Sequence, residues 1–387
     1  MAPSLRTFAA ALAAFASTAY STPQAVGDVA PALAGTPVSV STIQAAATPA
    51  STASAAVACN NSPDLCNQSY ANITHMGAHD SSFLRDASTQ NSVAGNQFFN
   101  ATVALDAGLR MLQVQVHNLN DTIEMCHTLC SLLDAGPLEN WLADIKVWMD
   151  ENPNEVVTLL IVNSDGQDVS AFGSVFEASG IAQYGFVPSG KGWPTLQSMI
   201  SANTRLVTFI ASITSSSSFP YLLSEFDFVF ETAFGVTSPD GFNCTIDRPS
   251  SPSTAAAALE AGLLPLINHF RDTDLGASLS LPDVSDVGTT NSPSTNISGS
   301  LGLHAATCKS EWGHMPTFVL VDFWNEGPAI DTADVMNGVT HAVGRRNDTA
   351  EVQDATAPGN GAGRGRGAAG MGTGALIAFF AAALLLV

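Results

Sequence analysis

Short β-branched or apolar runs recur along this chain with helix-like stretches between them, and that alternation restricts the fold more than any other feature. The runs cover 73–79, 111–118, 124–127, 156–163, 205–212, 228–234, 263–270 and 318–325. Strands that alternate with helices pair in parallel, because each crossover carries the chain back to the same end of the sheet. Eight runs match the strand number of a closed parallel barrel. We therefore expect an α/β fold, a (β/α)8 TIM-type barrel with room for distortion, built as a single domain with disordered flanks. Between the runs, Leu138, Trp141, Leu142, Ile145, Trp148 and Met149 recur at a spacing of three or four, which puts them on one face of a helix. Pro137 suits its first turn and Pro153 ends it. Segment 193–203, with Pro194, repeats the scheme. Segment 271–300 is long and rich in Ser, Asp, Thr, Pro and Gly, so it reads as a loop that is either functional or disordered.

The folded unit is expected over 59–345, close to the about 250 residues of such barrels plus insertions. Residues 1–19 carry Arg6, an apolar run at 8–16 and small residues Ser17 and Ala19, the pattern of a secretory signal peptide. Residues 20–58 are rich in Ala, Ser, Thr and Pro and read as a flexible stalk. Residues 346–373 read as a linker, and 374–387 form an uncharged apolar tail too short to span a bilayer comfortably. The triplet Asn360-Gly361-Ala362, a spacer and that tail follow the glycolipid-anchor pattern, with Asn360 as the attachment point; a short membrane helix is the alternative. The expected location is secreted, on the outer face of the plasma membrane or the cell wall through a GPI anchor.

Sequons at Asn60, Asn67, Asn72, Asn100, Asn120, Asn243, Asn296 and Asn347 fit a glycosylated exterior. A formal charge of −21, with no stripe of basic residues, argues against nucleic acid as a partner. Six cysteines, an even number, suit an oxidising compartment. Their spacing suggests the pairs Cys59–Cys66 and Cys126–Cys130, which leaves Cys244 with Cys308. A zinc site at Cys126, His127 and Cys130 competes, but neighbours on a strand point to opposite faces, which favours the disulfide.

Polar residues gather where the runs end. The first closes on His79-Asp80, the second carries Gln113, Gln115 and His117, and the third ends in His127. Asn163 closes the fourth, Glu231 lies in the sixth, Asn268-His269 in the seventh, and Asp322 and Asn325 in the eighth. The C-terminal ends of parallel barrel strands share one face, where active sites are built. Burying unpaired polar groups is costly, so this convergence points to a site and not to plain core; a satisfied hydrogen-bond network is the bland alternative. Two imidazoles aimed into one pocket can act as base and acid across a single bond.

At these residues the chain resembles the phosphatidylinositol-specific phospholipase C-like phosphodiesterases, in their secreted fungal branch. The matching segments are 73–81, 108–118, 126–130, 138–163 and 318–323, and the resemblance covers about 59–345. It implies His79 as general base, His127 as general acid, Asp80 assisting His127 and Asp322 orienting His79. It also implies a phospholipid or inositol phosphodiester substrate, attacked at phosphorus by a neighbouring inositol hydroxyl. Gln113, Gln115, Asn163, Glu231 and His269 are the candidate substrate contacts. Gln113 and Gln115 depart from the family: bacterial members place an arginine on this strand against the phosphate, and calcium-dependent members place acidic ligands. A neutral amide supplies no charge to the developing phosphorane, and hard-oxygen coordination is poorer without the carboxylates. We expect no cofactor, with calcium left open. A metal-dependent glycerophosphodiesterase-like barrel lacks its carboxylate pair here. A catalytically silent barrel that binds an inositol, sugar or lipid headgroup is the competing class, and a purely structural wall protein leaves the polar ring unexplained.

Overall fold

Period-two alternation sorts the strand side chains into an inner and an outer layer, and the computed structural model shows both. It describes residues 57–346 except 191 and 277–279. The expected signal peptide, nearly all of the stalk, Asn347, Asn360 and the apolar tail lie outside the described residues. The chain begins with β1 (His75–Ala78), α1 (Ala101–Ala107), β2 (Met111–Leu119), β3 (Thr122–Cys126), β4 (Asp134–Pro137) and α2 (Leu138–Glu151). It continues through β5 (Val157–Asn163), α3 (Val169–Ala178), α4 (Leu196–Ser201), β6 (Leu206–Ile210), β7 (Leu222–Ser224) and β8 (Val229–Glu231). The last third holds α5 (Ala255–Glu260), β9 (Leu264–Asn268), β10 (Asp272–Asp274), β11 (Ser280–Pro282), α6 (Val287–Thr290), α7 (Leu301–Trp312), β12 (Phe318–Val321) and α8 (Ala329–Asn337).

Eight of these strands pair in parallel in the order β7-β6-β5-β2-β1-β12-β9-β8. That is chain order bent round on itself, so the sheet curls into a barrel left open between β7 and β8. The expected eight-strand count holds, with one member exchanged. Run 124–127 is not a barrel strand: β3 lies antiparallel to β2, with Val116 opposite Met125 and Leu119 opposite Thr122. Asn120 and Asp121, both with positive φ (53° and 64°), reverse the chain within two residues, and so tight a turn joins only antiparallel strands. The missing wall strand is β7, whose three residues are too few to show periodicity.

On the outer face, Leu112 and Val114, Leu159 and Ile161, and Val319 and Val321 belong to one apolar layer with Leu138, Leu142 and Ile145 of α2 and Phe172 and Phe176 of α3. On the inner face, Met111, Leu160, Phe209, Leu223, Leu266, Phe318 and Leu320 fill the barrel with Tyr70 and Ile73. Each fully buried side chain of this size is worth roughly 1.5–3 kcal/mol. Gly77 faces inward where a Cβ would stand 2.8 Å from Met111 Cβ and 2.9 Å from Leu320 Cδ2. The same inward register carries Gln113, Gln115, His79 and Asp322 to one end of the barrel.

The helix expected from the apolar stripe is α2: Pro137 is its N-cap, all six stripe residues are buried, and Asn152 closes it ahead of Pro153. Arg110, at the opposite end of the wall from the site, is held by Glu155 at 2.6 Å and by Asn61 Oδ1 at 2.6 Å. Segment 271–300 carries the antiparallel β10–β11 pair and the short α6. Disulfides join Cys59–Cys66, Cys126–Cys130 and Cys244–Cys308. Asn67, Asn72, Asn100, Asn120, Asn243 and Asn296 are exposed. Asn60 is a correction: it is 6% exposed, its Oδ1 accepts the Val156 N–H at 2.7 Å, and its Nδ2 is sealed from solvent, which leaves no room for a glycan.

Candidate active site

Chain direction at the end of β1 sets the first arm of the site. The His79 N–H donates to Val321 O at 2.9 Å, and Gln97 Nε2 donates to both His79 O (2.7 Å) and Val321 O (3.0 Å), which ties β1 to β12. His79 Nδ1 meets Asp322 Oδ1 at 2.9 Å, and Asn96 Nδ2 donates to both oxygens of that carboxylate at 3.2 and 3.3 Å. A carboxylate at Nδ1 holds the proton there and leaves Nε2 facing the pocket. The ring lies flat on Phe270, with centroids 3.5 Å apart and planes 7° from parallel. Burial by itself would depress His79, but Asp80, Asp322 and Asp272 outweigh it and push the imidazole up to about 9. Burial raises Asp322 above the usual carboxylate range although His79 and Asn96 pull it back. Burial, with Asp322 next, pushes Asp272 up to about 6.

The second arm is a loop closed by the Cys126–Cys130 disulfide. The His127 N–H donates to Leu133 O at 2.9 Å, and the edge of the ring meets Phe83 with centroids 5.1 Å apart at 89°. Asp80 lies between the arms. Its Oδ2 is 3.6 Å from His79 Nε2 and 3.5 Å from His127 Nε2, while its Oδ1 is buried without a partner. His79, Asp80 and His127 line one cavity of about 390 Å³ together with Gln113, Gln115 and Asn268.

The far side of that cavity is built from β8, β9 and their flanks. Glu231 Oε2 accepts from Arg248 Nη2 at 3.0 Å and from Asn268 Nδ2 at 2.7 Å. Burial, with Glu231 beside it, holds Glu225 well above the usual carboxylate range. Arg248 lies over the Phe234 ring at 4.5 Å.

His79, Asp80, Gln113, Gln115, His127, Glu231 and Asp322 thus converge as their strand ends suggest. Asn163 and His269 do not. Asn163 clamps its own loop, donating to Gln167 O at 3.0 Å and accepting from Gln167 N–H at 2.9 Å. His269 is fully buried, with Nε2 at 2.8 Å from Thr290 O and Nδ1 at 3.0 Å from His304 Nδ1. As the residue after an inward-facing Asn268, it points away from the barrel axis, so alternation along β9 is the signal that separates the two. Beyond the expected residues, Asn96, Glu225 and Arg248 reach the pocket from loops and strand flanks where no periodicity operates, Phe270 continues the inward alternation of Leu266 and Asn268, and Asp272 opens β10.

A hard cation does not fit the donor set here. The amide oxygens of Gln113 and Gln115 are already occupied by backbone N–H groups at 2.5 and 2.9 Å. Calcium takes about six to eight oxygen ligands, and no step below is routed through a metal. Cys244, His304 and Cys308 also lie close together, but the two sulfurs are bonded to each other.

The PI-PLC X family model matches residues 65–337. PI-PLC X domain-containing protein 1 from Arthroderma benhamiae is 38% identical over 287 residues, which cover 73% of this chain and 90% of that protein. An uncharacterized secreted protein of the same organism is 34% identical over 295 residues, or 73% of this chain and 64% of that one. Among solved structures, a double mutant of the phosphatidylinositol-specific phospholipase C of S. aureus aligns over 71% of this chain and 95% of its own, with a TM-score of 0.45 and 16% identity. Because the family model runs from ahead of β1 to the end of α8 and a relative matches over nearly its whole length, the chain belongs to the PI-PLC X family.

Proposed function

We propose that this protein is a phosphoric diester hydrolase that cleaves a lipid or inositol phosphodiester by general base and general acid catalysis. The observation that carries the reading is the pair of imidazoles whose Nε2 atoms approach one oxygen of Asp80, at 3.6 and 3.5 Å. In the first step a headgroup hydroxyl attacks phosphorus and His79 Nε2 takes its proton. The bond from phosphorus to the leaving alkoxide breaks, and His127 gives that oxygen a proton, leaving a cyclic phosphodiester on the headgroup. Asp322 keeps the His79 proton on Nδ1, and Asp80 stabilises the charge that each ring carries in turn.

The base must be neutral to act. With its imidazole near 9, His79 is largely protonated at neutral pH, so kcat/KM should climb with pH towards that value. Glu231, Arg248, Asn268 and Glu225 offer acceptors and donors suited to a hydroxyl-rich headgroup. The deciding experiment is cleavage of phosphatidylinositol by the purified protein, with and without chelator, with appearance of a cyclic inositol phosphate as the readout. No product from wild type, or equal product from His79→Ala, removes the assignment. A silent headgroup-binding barrel is the second reading, favoured by neutral Gln113 and Gln115 where a charge would assist the phosphorane.

The same reading places the protein outside the cell, N-glycosylated on its exposed sequons and held to the membrane by a glycolipid at Asn360. Three disulfides support an oxidising compartment. Mature peptides that include residues 376–386 would overturn the anchor.

A further inference from the structure

Gln113 and Gln115 stand two residues apart on β2, so both side chains turn into the barrel, about 6.6 Å apart along the strand. Each is engaged with the chain beside one imidazole. The Asp80 N–H donates to Gln113 Oε1 at 2.5 Å, while Ser81 donates from N–H (2.8 Å) and Oγ (2.9 Å) to the Gln113 carbonyl. The Thr128 N–H donates to Gln115 Oε1 at 2.9 Å, and Gln115 Nε2 donates to Ser164 Oγ at 2.8 Å. Asp80 directly follows His79, and Thr128 directly follows His127. Both held residues have left-handed backbones, φ 44° and 59°. Non-glycine residues enter that region at a free-energy cost, so each turn needs an outside partner to keep it. Each amide oxygen therefore holds an arm at the point where its chain turns towards the pocket.

We propose that Gln113 and Gln115 are positioning residues that set the gap between the two imidazoles, one amide for each arm. The proposal rests on the His79–His127 reading above. It turns the departure from the family pattern into a different use of the strand: β2 acts as a ruler between base and acid. A side chain that supplies charge but no acceptor, as in Gln115→Arg, releases the Thr128 N–H and lets His127 drift. Gln115→Glu keeps an acceptor in place and preserves the arm.

The test uses the whole chain with isotope-labelled histidine, reading the imidazole signals by NMR beside steady-state cleavage of phosphatidylinositol. Gln115→Met should shift or broaden the His127 signals and leave His79 unmoved, and Gln113→Met should do the reverse. In turnover, either methionine variant should lower kcat about tenfold or more with KM within about threefold, the split expected when an interaction matters mainly beyond the ground state. The corresponding glutamate variant should restore the NMR position of its arm. If Gln115→Met fails to fold, Gln115→Thr, too short to reach Thr128, takes its place with the same expectation. The proposal is overturned if His127 stays put in these variants, or if KM alone rises, which would mark the amide as a substrate contact. Arm-specific shifts in a protein that cleaves nothing would sink the proposed activity and leave the positioning role standing.

Discussion

The two walls of the pocket differ in how firmly they are held. On one side, β1 lies between β12 and β2, its four residues all buried, with His75 opposite Phe318 through to Ala78 opposite Val321. The polar groups that orient His79 on this wall have assigned partners: Asn96 with Asp322, Asp322 with His79, and Gln97 with His79 O and Val321 O. On the other side, β7 and β8 have three residues each and no ladder between them. There Phe234 is 50% exposed. A strand laddered on both sides is pre-organised, whereas a seam with no ladder across it can adjust to what enters. On the proposed reading, the first wall holds the chemistry and the second meets the headgroup.

Substitutions on the two walls should therefore separate in kind as well as size. The largest effect is expected from His79→Ala or His127→Ala, each lowering the rate at least ~10²-fold; a loss under tenfold from both would break the contrast. Asp322→Asn comes next, at least about tenfold in kcat. It removes one of the carboxylates that raise His79, so the rising limb of the pH–rate profile should move to lower pH; a limb that stays where it is would show that Asp322 does not set it.

On the seam, Glu231→Gln weakens the hold on Arg248 and Asn268 and should raise KM about three- to tenfold with kcat within about twofold. Glu225, whose carboxyl burial and Glu231 hold well above the usual range, should tolerate Glu225→Gln with both nearly unchanged at neutral pH. A kcat collapse from either would place chemistry on the wrong wall. The smallest effect concerns stability. His79 is raised from 6.5 unfolded to about 9 folded, so its stabilising charge is fully present below about 6.5 and lost as pH rises through about 9. Thermal melting of wild type against His79→Gln should show the wild-type advantage fading across that window; an advantage that grows with pH would reverse the sign.

Local chemistry was enough to read much of this from the residues alone. Runs of β-branched residues marked seven of the eight wall strands, and a 3–4 spacing marked α2, because burial of one face imposes its period on the chain. His79-Asp80 and Cys126-His127-Thr128-Leu129-Cys130 were legible as arms of a site because they sit where such runs stop. What required the fold is what depends on partners far along the chain. Only pairing direction shows β3 turning back on β2, since a short apolar run looks the same in either orientation. Only the folded barrel brings Asn96 to Asp322, Phe270 onto the His79 ring and Arg248 to Glu231. It also turns Asn163 and His269 away, each engaged elsewhere. Alternation put Gln113 and Gln115 on the inner face, but a hydrogen bond needs a position as well as a face. The positions of Asp80 N–H and Thr128 N–H are set by two turns that β2 does not contain.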